Sequence, residues 1–419
     1  MLFNNSIRKA NSIYKEYPKQ FWVVVSANFI DHVGGALIFP FFALYITSKF
    51  QVGMTEVGLL FALFSIANMF GTMIGGALTD FLGRKGMIIM GLIISALTSL
   101  AMGFVQQLEW FYVMGVISGL FATAAEPAHQ AMLTDILSEK KRAEGFGVMR
   151  VTMNLSMTIG PAVGGFLASR SYLILFVADT VTSLIAALIV YLVVEESMPE
   201  KMAKEAKQGF RETFVGYGDV LKDRKFMLFV VISTIATIVY AQMYSTLSVY
   251  LRDFHGVPSS GYGWLMTLNA AMVVLFQFMI TRKISKYPPM LIMALGSLLY
   301  VIGFGMYGFA DVYLLFLLAM AIITIGEMVM IPVAQAYVGE ASPADMRGRY
   351  SGVMGFSWMI PWMVGPLLAG LIMDNGNPNW VWYGSAILGT IAAAVFLWLR
   401  KSHDKDWVAP PEVSTAETG

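Results

Sequence analysis

The sequence predicts an all-α membrane protein, with twelve transmembrane helices in two six-helix bundles related by a parallel repeat. Three observations predict it. Hydrophobic residues make up 57% of the 419 residues and charged residues 13%, with a mean hydropathy of +0.66. A soluble domain carries about 25% charge, so this chain has too few charges to coat a surface facing water. Twelve apolar runs each approach the ~20 residues that a helix needs to cross the hydrocarbon core. The first six runs also match the last six at a constant offset of 205 residues.

The runs fall at 21–46, 56–79, 87–106, 110–134, 145–169 and 172–194, then 226–251, 262–281, 289–309, 313–338, 350–373 and 381–400. The first 20 residues are polar and the first apolar run is too long for a signal-peptide core, so no cleaved leader is expected. Nearly all of the 28 Lys and Arg residues gather at one side of the spans: Arg8 to Lys19, Arg84-Lys85, Lys140 to Arg142, the stretch Lys201 to Lys225, Arg282 to Lys286, Arg347, Arg349 and Arg400 to Lys405. The opposite loops hold Lys49, Arg170 and Arg252. Positive loops stay inside, so both termini are expected to be cytoplasmic and the chain to lie in the cell inner (cytoplasmic) membrane.

Residues 195–225 carry seven acids and seven bases, which reads as a solvated linker. The expected organisation is a cytoplasmic segment 1–20, a bundle 21–194, the linker 195–225, a second bundle 226–400 and a tail 401–419. The repeat supports the division. Gly58 falls on Gly263, Gly91 on Gly296, Pro127 on Pro332, Gln130 on Gln335, Gly147-Val148-Met149 on Gly352-Val353-Met354, and Gly160-Pro161 on Gly365-Pro366. Gly and Pro dominate the matches, so what repeats is backbone shape. Parallel six-span repeats with a site at their interface are one recurring transporter plan.

Several function classes are excluded. Lys+Arg 28 against Asp+Glu 27 leaves no basic excess for nucleic acid. With no Cys there is no disulfide, thiol nucleophile, zinc–thiolate site or iron–sulfur cluster. Nucleotide-binding GxxxxGK[ST] and the hydrolase motifs HExxH and GxSxG do not occur. No cofactor, no metal and no enzymatic activity are expected, and a single chain is expected to act alone.

Three motifs resemble the major facilitator superfamily and, within it, the twelve-span drug–proton antiporters. The first is Gly76-Ala77-Leu78-Thr79-Asp80-Phe81-Leu82-Gly83-Arg84-Lys85 between spans 2 and 3, with Phe81 where the family usually has a basic residue. The resemblance implies a charge latch that closes the cytoplasmic side. In it Asp80 faces the N-terminal end of span 11, and Arg84 bonds Asp135 at the inner end of span 4 with Arg142 nearby. The second is Gly147, Ser156 and Gly160-Pro161-Ala162-Val163-Gly164-Gly165 in span 5, similar to the antiporter signature, whose small residues pack closely and seal a leak path. The third, a weaker match, is Gly34 with Pro40 in span 1. The arginine that the family often carries in span 4 is absent: its position holds Gly115.

Ionisable residues inside spans cost about 2.5–3.5 kcal/mol each on insertion scales and therefore mark function. Those singled out are Asp31 and His32 in span 1, Glu126 in span 4, Arg150 in span 5, Asp179 in span 6 and Glu327 in span 10. Glu327 maps by the repeat to position 122, close to one turn before Glu126, so the two acids are expected to face alike. An acid shut away from water without a cation takes up a proton more readily. Asp31, Glu126 and Glu327 are the expected proton carriers, Arg150 the expected partner of Glu126, and His32 a hydrogen-bonded neighbour of Asp31. Asp179 is expected to be structural.

The chain has 30 Met residues, whose flexible thioethers let one surface re-pack around different ligands. Candidate pocket residues are Asn68, Asn154, Tyr240, Gln242, Tyr244, Asn269, Gln277, Trp358 and Trp362. An aromatic, methionine-lined cavity with a carboxylate suits lipophilic, often cationic compounds. The expected function is proton-coupled export of such molecules. The alternative is a transporter of a specific metabolite or lipid on the same fold.

Overall fold

The computed structural model describes residues 16–198, 217–343 and 346–403. The described residues form helices and no strand. In chain order these are α1 (Lys19–Ile38), α2 (Phe42–Phe50), α3 (Met54–Leu82), α4 (Arg84–Phe104), α5 (Leu108–Ile117), α6 (Glu126–Ile136), α7 (Glu139–Ala168) and α8 (Tyr172–Val193). There follow α9 (Tyr217–Lys222), α10 (Arg224–Ser245), α11 (Leu247–His255), α12 (Ser259–Ile284), α13 (Pro289–Tyr307), α14 (Tyr313–Ala341), α15 (Arg347–Asn375) and α16 (Asn379–His403). Among the described residues, twelve helical stretches are long and apolar enough to cross a membrane.

Three spans are interrupted. A 3₁₀ turn at Phe39–Phe41 separates α1 from α2 at Pro40, which cannot donate to the ladder. Thr246 separates α10 from α11. Span 4 passes from α5 through a π segment, Ser118–Ala122, and a 3₁₀ segment, Thr123–Ala125, into α6. Its repeat partner α14 runs unbroken through Pro332, and α7 runs unbroken through Pro161.

The chain divides into two compact units. Among the described residues, unit 1 takes 16–52, 60–198 and 258–263, and unit 2 takes 53–59, 217–257, 264–343 and 346–403. In unit 1, α1 packs on α7 and α8, and α4 packs on α8. In unit 2, α10 packs on α15 and α16, and α13 packs on α14 and α16. With α4 also packed on the segments of span 4, as α13 is on α14, these are equivalent pairings under the 205-residue offset, so the repeat in sequence is a repeat in helix neighbours.

Each unit has a packed interior. Phe21, Met87, Ala128, Met132 and Val190 are buried together in unit 1. In unit 2, Trp382 is buried against Tyr250, Phe304 and Tyr307. Large apolar side chains also face outward: Phe278 is 77% exposed, and Phe309 and Leu314 are each 74% exposed. Water would disfavour such a surface, whereas lipid accepts it. Exposed Trp110, Trp264, Trp380 and Trp398 lie near helix ends, where indole suits the membrane–water boundary.

Candidate functional site

Glu327 projects from α14 into a set of polar groups in unit 2. Its Oε2 accepts a hydrogen bond of 2.7 Å from Asn269 Nδ2, and its Oε1 accepts one of 3.1 Å from the Tyr240 hydroxyl. Asn269 also donates to Thr324 Oγ1 at 3.0 Å, and Thr324 donates to the Met320 carbonyl at 2.7 Å. Thr324 therefore has an acceptor lone pair to offer, which fixes the Asn269 amide as a donor towards Glu327. The carboxylate is half-buried, and among the described residues no Lys or Arg forms an ion pair with it.

Tyr240 joins this acid to a cavity of about 40 Å³ within unit 2. Tyr240, Tyr300 and Trp358 line it with Met293, Met330 and Met354, and Ser233 and Thr237 add hydroxyls. Tyr240 stacks on Tyr300 at 6.1 Å and meets Trp358 edge-on at 6.2 Å. One turn along α10, Tyr244 packs on Trp362 at 6.0 Å. Tyr240, Tyr244, Asn269, Trp358, Trp362 and Glu327 thus belong to one neighbourhood.

Other expected pocket residues do not join it. Gln242 lies two residues from Tyr240, on the other side of α10. It accepts from Thr246 Oγ1 at 2.6 Å, donates to the Ile238 carbonyl at 3.1 Å, and packs beside Gly365. Gln277 ties α12 to α14 by donating to the Met328 carbonyl at 3.0 Å. Asn68 and Asn154 belong to unit 1, where Asn68 Oδ1 accepts from Thr72 at 3.5 Å and Asn154 is exposed. Tyr300 and Thr324 were not singled out from the sequence. An aromatic and a hydroxyl residue inside apolar runs give no signal until the fold sets them beside Glu327.

In unit 1, two expected pairings are corrected. Glu126 does not meet Arg150. Its Oε1 accepts from Gln130 at 3.3 Å, and Arg150 is exposed with no ion pair among the described residues. His32 is not bonded to Asp31 either, because successive residues on a helix point about 100° apart. Asp31 Oδ1 accepts from Ser183 at 2.6 Å, and His32 Nδ1 lies 3.0 Å from the Asn28 carbonyl.

The expected Arg84–Asp135 contact is present at 3.2 Å, with the Arg84 side chain 4% exposed. Arg84 also donates to the Thr79 carbonyl, and Arg142 Nε donates to the Thr134 carbonyl at 3.1 Å. Glu196, unremarked in the sequence, completes the brace. Its carboxylate accepts from the backbone N–H groups of Arg84 and Lys85 at 3.0 Å each, at the positive end of α4. Gly83 permits this with φ +83°, and a Cβ there would lie 2.5 Å from Glu196 Oε2. Ser197 donates to Asp135 at 3.2 Å, and Lys85 Nζ donates to the Tyr191 carbonyl at 2.8 Å. Gly76 has open space beside it, and the Asp80 side chain lies outside the described residues.

The span 5 motif packs α7 on α1. A Cβ on Gly160 would lie 2.3 Å from Ala36 Cβ, and one on Gly164 would lie 2.5 Å from the Leu37 carbonyl oxygen. Gly165 meets Gly263 backbone to backbone within unit 1. Pro161 follows Gly160 on this helix.

The chain is 26% identical to a Na(+), Li(+), K(+)/H(+) antiporter of Planococcus maritimus, over 94% of this chain and 99% of that protein. It is 23% identical to the quinolone resistance protein NorA of Staphylococcus aureus (strain MSSA476), over 92% and 97% of the two chains. Its fold matches the nucleoside transporter NupG with a TM-score of 0.76 at 14% identity, covering 92% of this chain and all of that one. The model of the Major Facilitator Superfamily matches residues 24–262 and 243–417. With twelve candidate spans and the same helix neighbours in each half, the chain belongs to the Major Facilitator Superfamily and is a secondary transporter rather than an enzyme.

Proposed function

We propose that the chain is a proton-coupled antiporter that exports lipophilic, often cationic small molecules across the cytoplasmic membrane by alternating access. On this reading it works as a monomer with both termini in the cytoplasm. Glu327 carries the proposal: an acid held by two neutral donors, without a partner cation among the described residues, beside an aromatic and methionine-lined cavity. Such a carboxylate is balanced by a proton or by a cationic ligand. The two compete for one negative charge, so binding either favours release of the other, and the linkage is reciprocal. Aromatic faces at Tyr240, Tyr300 and Trp358 add attraction for a cation, and the methionines adapt to its apolar body.

The test uses proteoliposomes with an imposed pH difference and tetraphenylphosphonium as probe. Glu327→Gln keeps the shape of the side chain and removes its charge, so pH-driven flux should fall to background. Flux unchanged from wild type would remove Glu327 from the coupling.

A second reading is exchange of protons for an alkali cation. The cavity of about 40 Å³ favours it. Pockets for drug-sized ligands enclose roughly 300–1,000 Å³, so a drug needs a wider state of this cavity, whereas an ion does not. The Glu327 oxygens, Thr324 Oγ1 and the Asn269 amide oxygen after rotation would be hard oxygen ligands. Sodium, lithium or potassium flux that tetraphenylphosphonium does not inhibit would favour this reading. One narrow organic substrate in competition assays would instead favour a metabolite or lipid transporter.

A further inference from the structure

Unit 1 holds a second group of ionisable side chains, and its centre is a residue with no part in the Glu327 site. His129 lies on α6 one turn after Glu126, so the two side chains share a face. Asp31 and His32 belong to α1, which packs on α6, and their charges bear on His129 together with that of Glu126. Its Nδ1 is closed off from solvent and has no hydrogen-bond partner. Enclosed polar atoms in folded proteins are nearly always bonded, so an imidazole nitrogen left unbonded one turn from an acid marks more than a packing role.

The neighbouring groups define the chemistry. The Asn28 carbonyl only accepts, so His32 Nδ1 must carry the hydrogen it shares with that oxygen. His32 Nε2 is then a lone-pair acceptor in the neutral ring. One Asp31 oxygen is occupied by Ser183, which lies one turn after Asp179 on α8. Glu126 accepts from Gln130 through one oxygen. Several other charges around α6 are engaged elsewhere. On α4, Arg84 is held by Asp135, while Lys85 donates to the Tyr191 carbonyl. Arg150 on α7 makes no ion pair among the described residues, and the Asp80 side chain of α3 lies outside them. Span 4 is also irregular immediately before Glu126, where π and 3₁₀ segments replace the regular ladder, a distortion that frequently accompanies functional sites.

We propose that His129, with Asp31, His32 and Glu126, forms a proton-holding site in unit 1 distinct from Glu327, so that each unit carries one titrating centre. The transfer is a proton movement alone. The carboxylic acid O–H bond of Asp31 or Glu126 breaks, an N–H bond forms at the His129 lone pair, and a carboxylate and an imidazolium remain. No oxidant or other reactant is needed. The role of this site in transport rests on the proton-coupled reading above; its existence as a coupled cluster does not.

The experiment therefore has two parts. The full-length protein, labelled with ¹⁵N in its imidazoles, is titrated by NMR in detergent. His129→Gln identifies the His129 signal among the 4 histidines. The His129 midpoint should move to lower pH by at least about half a unit in Asp31→Asn and in Glu126→Gln, because each removes a negative charge that favours the imidazolium. A midpoint unmoved in both variants, or no titration between about pH 4 and 9, overturns the site. In vesicles, His129→Gln of wild-type melting temperature should displace the pH profile of tetraphenylphosphonium flux. An unmoved profile beside a coupled NMR titration overturns its role in transport. Wild-type flux indifferent to an imposed pH difference sinks the proton-coupled reading, and the NMR result still decides whether the cluster exists.

Discussion

Replacing Gly160 by Ala tests whether the glycine motif of α7 acts by contact distance. The added Cβ would lie 2.3 Å from Ala36 Cβ and 2.6 Å from the Ala36 carbonyl carbon. Carbon atoms in favourable contact sit at about 3.5–4.0 Å, so α7 and α1 would have to part by more than about 1 Å. Much of the opposing group is backbone, which cannot swing away as a flexible side chain would. Forcing extra carbon into a packed interface costs about 1–3 kcal/mol. Against this, Ala favours a helix over Gly by about 1 kcal/mol. An approach this close to backbone sits in the upper part of that range, so the balance is a loss of about 1–2 kcal/mol, or a few degrees in melting temperature. Gly147 on the same helix supplies the control, since a Cβ there meets nothing within 4 Å. Gly147→Ala should leave melting unchanged or raise it slightly. The assay is thermal unfolding of both purified variants in one detergent. A Gly160→Ala protein as stable as wild type, or a Gly147→Ala protein equally weakened, would refute the reasoning.

Other outcomes follow from the same geometry. Asp135→Ala strands the enclosed Arg84 guanidinium and should destabilise the protein by about 2–4 kcal/mol in thermal unfolding, more than Lys222→Ala at its exposed ion pair, worth at most about 1 kcal/mol. Glu196→Ala leaves two N–H groups at the start of α4 without their acceptor and should lower stability by about 1–2 kcal/mol in the same assay. Trp358→Ala removes an aromatic wall of the cavity and should weaken tetraphenylphosphonium binding, measured by calorimetry, by roughly 10-fold, as expected for about 1–2 kcal/mol of cation–π contact.

Spans were legible because a membrane helix must be a long apolar run, and Gly and Pro positions betrayed the repeat. Glu327 stood out because an acid in such a run is expensive, and the fold sets it among polar and aromatic side chains. The Arg84–Asp135 contact was legible only through a family motif, since a turn with two cations at one end of span 3 has a simpler explanation in topology. Glu196 stayed hidden: it lies 112 residues from Arg84, inside a stretch whose alternating charges read as a tether. Gln242 could have been placed better, because at 100° per residue it cannot share a face with both Tyr240 and Tyr244. The Glu126–Arg150 pairing failed because equal depth on two helices does not fix their rotation. Proline did not reveal the irregularity of span 4 either, since Pro127 has a twin in Pro332, where the helix stays regular.

That difference traces to the neighbouring helix. Gly71 and Gly75 on α3 press against the Leu120 and Ala124 carbonyl oxygens, where a Cβ would lie 2.3 and 2.2 Å away. Their counterparts under the 205-residue offset are Phe276 and Ile280, which have no such slimness. A duplicated blueprint has therefore yielded one irregular column and one regular one. The irregular column carries Glu126 and His129, the regular one Glu327, so the two halves present their acids from backbones of different shape.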